Sequence, residues 1–410
     1  MNLTNLPAQV TKAVRNVVGN GPIKLHEPSF TGNEMKYVED CINSTYVSSV
    51  GKYVDQFEVE LSKYTGANYA ISVVNGTAAL HLALKLAGVN QDDEVLVQAF
   101  TFVATANAIS YCGAIPHFVD TEKENLGIDP VKLQDYLAEI TVNLDRETIN
   151  KITGRRIKAL VVMHTFGHPS KMDELLEVSK KFNLKIIEDA AESIGSYYKN
   201  KHTGTMGLLG TLSFNGNKTI TTGGGGALLT NNLELARKAK HLSTTAKISH
   251  KWAFEHDEIG YNYRMPNINA ALGCAQLEDL PLKLENKEKL FNEYKSQFSK
   301  IEGVSIVEEP TNCRSNYWLQ TIKLDLPNLA LRNEILEDLN SAGFMSRPGW
   351  DLINSLQPYR ANPSMTLECA KELFACVINV PSNHAISLRV KQELNTRSEL
   401  KNYNQGVDYE

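Results

Sequence analysis

Cysteine is scarce and unpatterned in this chain. The six cysteines, at positions 41, 112, 274, 313, 369 and 376, form no CxxC pair and no Cys/His ligand spacing. That argues against a disulfide framework and a zinc site, and fits reduced thiols that serve in packing. A basic block is also missing: 42 Lys+Arg stand against 47 Asp+Glu, for a net charge of −5. Nucleic acid and acidic membrane surfaces are therefore not expected partners. No eighteen apolar residues run together, and the amino terminus, MNLTNLPAQVTKAVRNVVGN, is mildly amphipathic without the unbroken apolar segment of a secretory signal. A cytoplasmic location is expected, with no membrane contact. No repeat and no low-complexity tract is present.

What remains is ordinary globular composition, 42% hydrophobic and 22% charged over 410 residues, enough for one large and one small domain. Its organisation is a strand and helix rhythm. Strands are predicted at 69–74, 94–98, 115–119, 157–163 and 184–189, with helices opening at 75, spanning 102–111, and spanning 170–182 from an S-x-x-D start. This spacing implies a mostly parallel sheet covered on both faces, with ligands beyond the carboxyl ends of its strands. Upstream, a helix after Asn33 carries Val38 and Ile42, and another spaces Phe57, Leu61 and Tyr64 on one face. The loop from Tyr46 to Tyr53 between them either lines a site or merely connects. Downstream, helices are expected at 234–241, 268–280 and 282–298, the last bridging to a small part with strands near 304–307 and 317–324 and helices at 332–342 and 366–375.

The stretch TLSFNGNKTITTGGGGALLTN, residues 211–231, holds Lys218 between a strand end and four glycines, Gly223 to Gly226. A lysine on a tight, partly buried turn loses hydration, which disfavours its ammonium form and frees the amine to attack a carbonyl. The glycines precede a strand and lack nucleotide-loop spacing. At 75–78, Gly76 and Thr77 open a helix after a buried strand. Either their amides and the helix dipole form an anion cradle, or Asn75 is an N-cap and the small residues allow close packing. Asp189 ends a strand behind two isoleucines, and there it needs a cationic partner or caps the next helix. With Phe102 as a ring-stacking aromatic, these features match the phosphate, ring face, ring nitrogen and aldehyde of pyridoxal 5′-phosphate (PLP).

The motifs NGTAALHLAL, TFVATANAI, EDAAES, SFNGNK with TTGGGGALL, and GYNYRMPNINAALG resemble the DegT/DnrJ/EryC1/StrS sugar aminotransferases over about residues 25 to 390. The resemblance implies a PLP-dependent transferase fold of type I, the aspartate aminotransferase fold. This is a three-layer α/β/α arrangement with a mostly parallel central sheet and a smaller C-terminal α+β domain. The implied division is an arm, 1–30, a large PLP-binding domain, 31–285, a small domain, 286–402, and a tail, 403–410.

By matching position, Lys218 would hold PLP as an imine, Asp189 would pair with the ring nitrogen, Phe102 would stack on the ring, and Gly76, Thr77 and Ser213 would bind the phosphate. Glu192 would lie near the phenolic oxygen, at a position often Gln or His in relatives. Asn262 would reach the phosphate of a neighbouring subunit's PLP, making the protein a homodimer with sites at its interface. Lysine rather than histidine at 218 implies transamination instead of dehydration.

YVSSVGKYVDQFE, HTFGHPSKMDE and SRPGW resemble the subgroup that makes nucleotide-linked 4-amino sugars for bacterial surface glycans. L-glutamate would be the amino donor and a UDP-linked 4-keto-6-deoxy-N-acetylhexosamine the acceptor. The cofactor motifs leave open another oxidised carbohydrate, such as the terminal aldehyde of an eight-carbon sugar acid, and a PLP-fold regulator without turnover. Asn316, Tyr317 and Trp318, and the stretch Arg347-Pro348-Gly349-Trp350, combine donors with flat apolar faces, as a sugar or diphosphate site would, or belong to the small-domain core or surface.

Overall fold

A computed structural model describes residues 5–386. The expected tail, 403–410, and the end of the expected small domain lie outside the described residues. Seven strands form the central sheet: β1 (Tyr69–Val73), β2 (Glu94–Gln98), β3 (Ile115–Val119), β4 (Ile157–Met163), β5 (Lys185–Asp189), β6 (Leu209–Ser213) and β7 (Gly226–Thr230). Their order is β1-β7-β6-β5-β4-β2-β3. β7 runs antiparallel to both its neighbours, and the remaining pairs are parallel. Residues of β2 and β4 are almost all buried, as a strand covered on both faces requires. A four-stranded antiparallel sheet, Val304–Ile306, Gln320–Leu324, Val377–Val380 and Arg347–Pro348, forms the smaller C-terminal layer.

The helical readings hold in type and shift at particular residues. The helix expected from Ser170 begins at Met172, and no side chain caps it. The Ser170 hydroxyl donates instead to the Met163 carbonyl at 2.8 Å, which anchors the loop after β4 rather than the helix start. In the helix Glu34–Asn43, Ile42 is 59% exposed, while Cys41 and Glu34 are buried. The inward face is set by packing on a later helix, not by Ile42.

That later helix is one continuous element, Asn267–Phe298, with Pro281 inside it, where two helices were expected. A proline in a helix interior removes a hydrogen bond and clashes with the preceding turn, at a cost of about 3 kcal/mol. Apolar burial on both sides of the proline, from Leu277 and Leu280 to Leu290 and Tyr294, offsets it. The helix thus runs unbroken between the two sheets.

Its first residue does a second task. Asn267 is buried, and its Oδ1 accepts from the amides of Tyr53 at 3.0 Å and Val54 at 3.3 Å, while its Nδ2 donates to the Tyr46 carbonyl at 2.6 Å. It therefore caps the helix Lys52–Thr65 from a distance, because Gly51 has no side chain to do so. The 46–53 loop is accordingly held against this helix start at both of its ends. Asn267→Ala is expected to orphan these buried groups and lower stability by about 2–3 kcal/mol. Denaturant unfolding would measure it, and an unchanged midpoint would show that the cap is dispensable.

Candidate active site

The carboxyl ends of β4, β5 and β6 open on a cavity of about 510 Å³. Lys218 stands on the turn after β6. Its amide donates to the Asn215 carbonyl at 3.0 Å, and the turn closes when Thr222 N donates to Phe214 O at 3.0 Å and Phe214 N to Gly225 O at 2.8 Å. The side chain is 12% exposed, and Nζ lies 3.2 Å from Glu192 Oε1. It also lies 3.9 Å from the centroid of the Trp318 ring.

Asp189 ends β5, fully enclosed. It accepts from Thr105 Oγ1 at 2.8 Å and from the Ala191 amide at 3.2 Å. Burial nevertheless raises its affinity for a proton, against those two bonds and the nearby Lys218 charge. A carboxylate left short of charge in this way calls for a cationic partner in the cavity. Glu192 accepts from the Phe166 amide at 3.0 Å, and burial pushes its carboxyl up to about 7, the Lys218 charge opposing.

Of the two readings of the segment 75–78, the N-cap is observed, and it leaves room for an anion at the same helix start. Asn75 is the N-cap, its Oδ1 accepting from Ala78 N at 2.8 Å. Gly76 and Thr77, whose amides the helix Gly76–Leu86 cannot satisfy internally, line the cavity beside Ser213. A Cβ on Gly76 would stand 2.8 Å from Ser213 Cβ, and one on Gly226 would stand 2.5 Å from the Asn75 carbonyl carbon. Only glycine lets the strand β7, the cap and Ser213 approach this closely. Phe102, just before the helix Val103–Tyr111, lines the cavity with 49% of its surface exposed.

Trp318 and Arg347 also line the cavity, whereas Asn316 and Tyr317 do not. Asn316 is buried as a brace, its Nδ2 donating to the carbonyls of Glu192 and Ile194 at 2.9 Å each and its Oδ1 accepting from Trp318 N at 2.8 Å. Tyr317 stacks on Phe291 at 4.2 Å. Their expected contact with substrate gives way to holding Trp318. Asn262 also lies outside this cavity, and its Oδ1 accepts from Arg264 at 2.7 Å.

Trp350, expected beside Arg347, lines the cavity as well, and sequence reasoning missed His26, Phe166 and Asn217, which line it too. Phe166 follows β4, so the strand-end rule reaches it. His26 comes from a segment without periodicity, tethered when Ser382 N donates to Leu25 O at 2.7 Å. Burial first, and then Lys287, His384 and Lys218, hold its imidazole well below the usual value, and neither ring nitrogen has a hydrogen-bond partner among the described residues.

Residues 28–394 match the DegT/DnrJ/EryC1/StrS aminotransferase family. GDP-perosamine synthase of Escherichia coli O157:H7 is 36% identical over 367 residues, 89% of this chain and 94% of that protein. UDP-4-amino-4,6-dideoxy-N-acetyl-beta-L-altrosamine transaminase of Campylobacter jejuni subsp. jejuni serotype O:23/36 is 34% identical over 294 residues, 72% of this chain and 74% of that protein. Among solved structures, Helicobacter pylori PseC, an aminotransferase involved in the biosynthesis of pseudoaminic acid, superposes with a TM-score of 0.81. It is 25% identical and covers 94% of this chain and 100% of its own. The chain belongs to the DegT/DnrJ/EryC1/StrS aminotransferase family and is a PLP-dependent enzyme. The cavity fits that cofactor, since an unsatisfied helix start, a carboxylate short of charge and an enclosed lysine converge on it.

Two measurements probe the charges. Lys218→Ala is expected to abolish the borohydride-reducible adduct with PLP while leaving thermal unfolding nearly unchanged, and a persisting adduct would displace Lys218 from its role. The second concerns Glu192, which the folded chain protonates more readily than the unfolded chain, where a glutamate titrates near about 4.3. Its contribution to stability is therefore fullest below that value, declines as pH rises to about 7, and is flat above. In cofactor-free protein, the stability of the wild type relative to Glu192→Gln should fall across that window. A pH-independent difference would contradict the burial argument.

Proposed function

We propose that this aminotransferase moves the amino group of L-glutamate to a nucleotide-linked 4-keto-6-deoxy sugar. A UDP-linked N-acetylhexosamine is one acceptor to test, and a GDP-linked sugar is the other, since the similarity to GDP-perosamine synthase spans more of the chain. The observation that carries this reading is the cavity wall. Beside Lys218, the flat faces of Trp318, Phe166 and Trp350 stand with Arg347, and Phe166 and Trp350 lie 4.6 Å apart. Flat apolar faces suit a pyranose ring, and an arginine fork suits a diphosphate or a carboxylate.

When bound, PLP supplies an electron sink for the carbon that loses a proton. In our reading, Lys218 would hold the cofactor at its aldehyde, and its free amine would carry the donor's Cα proton. Asp189, buried and short of charge, keeps the ring nitrogen protonated. Gly76, Thr77 and Ser213 hold the phosphate, Phe102 covers the ring, and Glu192 stands by Lys218 to take or return a proton. The same groups run the sequence backwards on the keto sugar.

A homodimer supports the role of Asn262, which lies outside its own chain's cavity, and the exposed Trp252, Phe254 and Ile259 offer apolar surface for a partner. We also read a large part, 31–285, and a small part, 286–402, with the helix Asn267–Phe298 crossing their boundary. Both substrates are water-soluble metabolites, which suits a cytoplasmic enzyme serving surface-glycan synthesis. No described helix is long and apolar enough to cross a membrane.

An absorbance titration tests the reading. L-glutamate should shift the cofactor spectrum to that of its amine form, and only a suitable keto sugar should restore it. No shift with glutamate would end the assignment. A shift that no nucleotide-linked 4-keto sugar reverses would end the proposed acceptor. Arg347→Ala is expected to raise the KM of the sugar nucleotide by about tenfold or more while changing kcat less. Unchanged KM values for both substrates would remove Arg347 from recognition.

A further inference from the structure

We propose that Trp318 is a positioning residue for Lys218: its indole face and the Glu192 carboxylate form a two-sided seat that retains the ε-ammonium whenever it is not bonded to cofactor. This rests on the reading of Lys218 as the proton carrier. The Lys218 Nζ has the Glu192 oxygen at 3.2 Å on one side and the centre of the indole ring at 3.9 Å on another. The face of an indole attracts an ammonium, most strongly where water is excluded, and Trp318 is 5% exposed.

Trp318 is itself held by three hydrogen bonds, one to its indole and two to its backbone. Its Nε1–H donates to the Asn217 carbonyl at 2.7 Å, which is the peptide bonded to Lys218. Its backbone amide donates to Asn316 Oδ1 at 2.8 Å, and its carbonyl accepts from the buried Lys287 Nζ at 3.0 Å. Tyr317, just before it, has a φ of +47°, an uncommon conformation for a non-glycine residue. Backbone in that region persists where its surroundings over-determine it, and here Lys287 Nζ donates to the carbonyls of both Tyr317 and Trp318.

A freed lysine side chain has many rotamers, and productive proton transfer needs one of them. In the forward step the amine takes the donor's Cα proton and becomes the ammonium that the seat holds. It gives up that same proton in the next step, so no proton is gained or lost overall. Glu192 supplies the charge and Trp318 the surface along which the ammonium is kept in register.

The test compares Trp318→Phe, which keeps a face and loses the N–H, with Trp318→Leu and Trp318→Met, which lose both. Met preserves side-chain bulk should the Leu variant fail to fold. Two readouts are taken. One is the rate at which cofactor-free protein bonds added PLP through Lys218, followed by absorbance. The other is the kinetic isotope effect with α-deuterated L-glutamate in a single half-reaction.

The expected result is that Leu and Met slow the bonding by about tenfold and enlarge the isotope effect, because proton transfer becomes limiting, while Phe stays within about threefold of wild type. Wild-type values in the Leu or Met variant would overturn the seat. Equal loss in Phe and Met would overturn it as well, showing that the N–H bond to Asn217 matters and the face does not. If the wild type itself shows no half-reaction with glutamate, the functional reading fails, and the bonding rate in cofactor-free protein still decides the seat.

Discussion

A carboxylate withheld from water decides the geometry of this cavity. Glu188 and Asp189 are neighbours on β5, point to opposite faces of the sheet, and are both enclosed. Burial alone would raise the pKa of each. For Glu188, His164 at 3.0 Å and the amides of Gly204, Met206 and Gly207 outweigh burial and hold its carboxyl below the usual range. Asp189 has one hydroxyl and one amide, and burial wins. The first carboxylate is saturated and knits the backbone, and the second is left in need of a cation. The difference of one residue along a strand, hence of one face, separates a fully bonded charge from one that lines the cavity.

The same economy governs the lysines. Lys287 is fully buried and spends its three donors on the carbonyls of Tyr317, Trp318 and Ser382, which ties the long helix to the smaller sheet. Burial and the charge of Lys283 lower its pKa to about 7. Lys218, by contrast, meets one carboxylate oxygen and one aromatic face, leaving its nitrogen able to react. A fully bonded amine is inert, and a loosely seated one is available for chemistry.

The strand and helix alternation, the lysine turn and the strand-end carboxylate were legible because each depends on local pattern: period, glycine content, or an ionisable group after an apolar run. The continuous helix through Pro281 was not, since the local penalty is real and only distant burial overrides it. Asn316 and Tyr317 looked like substrate contacts because donor and aromatic types suit a sugar. Their side chains instead face inward, and composition says nothing about which way a side chain points. His26 carried no signal at all, because its place in the wall follows from where the segment between the helices Leu6–Val18 and Glu34–Asn43 is tethered.

The amino-acid order by itself therefore determined the fold class, the family and the four groups proposed to meet the cofactor, since these rest on short-range chemistry that a motif contains whole. Tertiary structure alone decided which residues complete the cavity. Trp318 lies a hundred positions from Lys218 in the chain, and its indole meets that ammonium where Lys287, from the long helix, and the neighbouring Asn316 hold the Trp318 backbone. Interactions of that kind are set by where separate elements come to rest against one another, a property of packing that no single stretch of sequence holds.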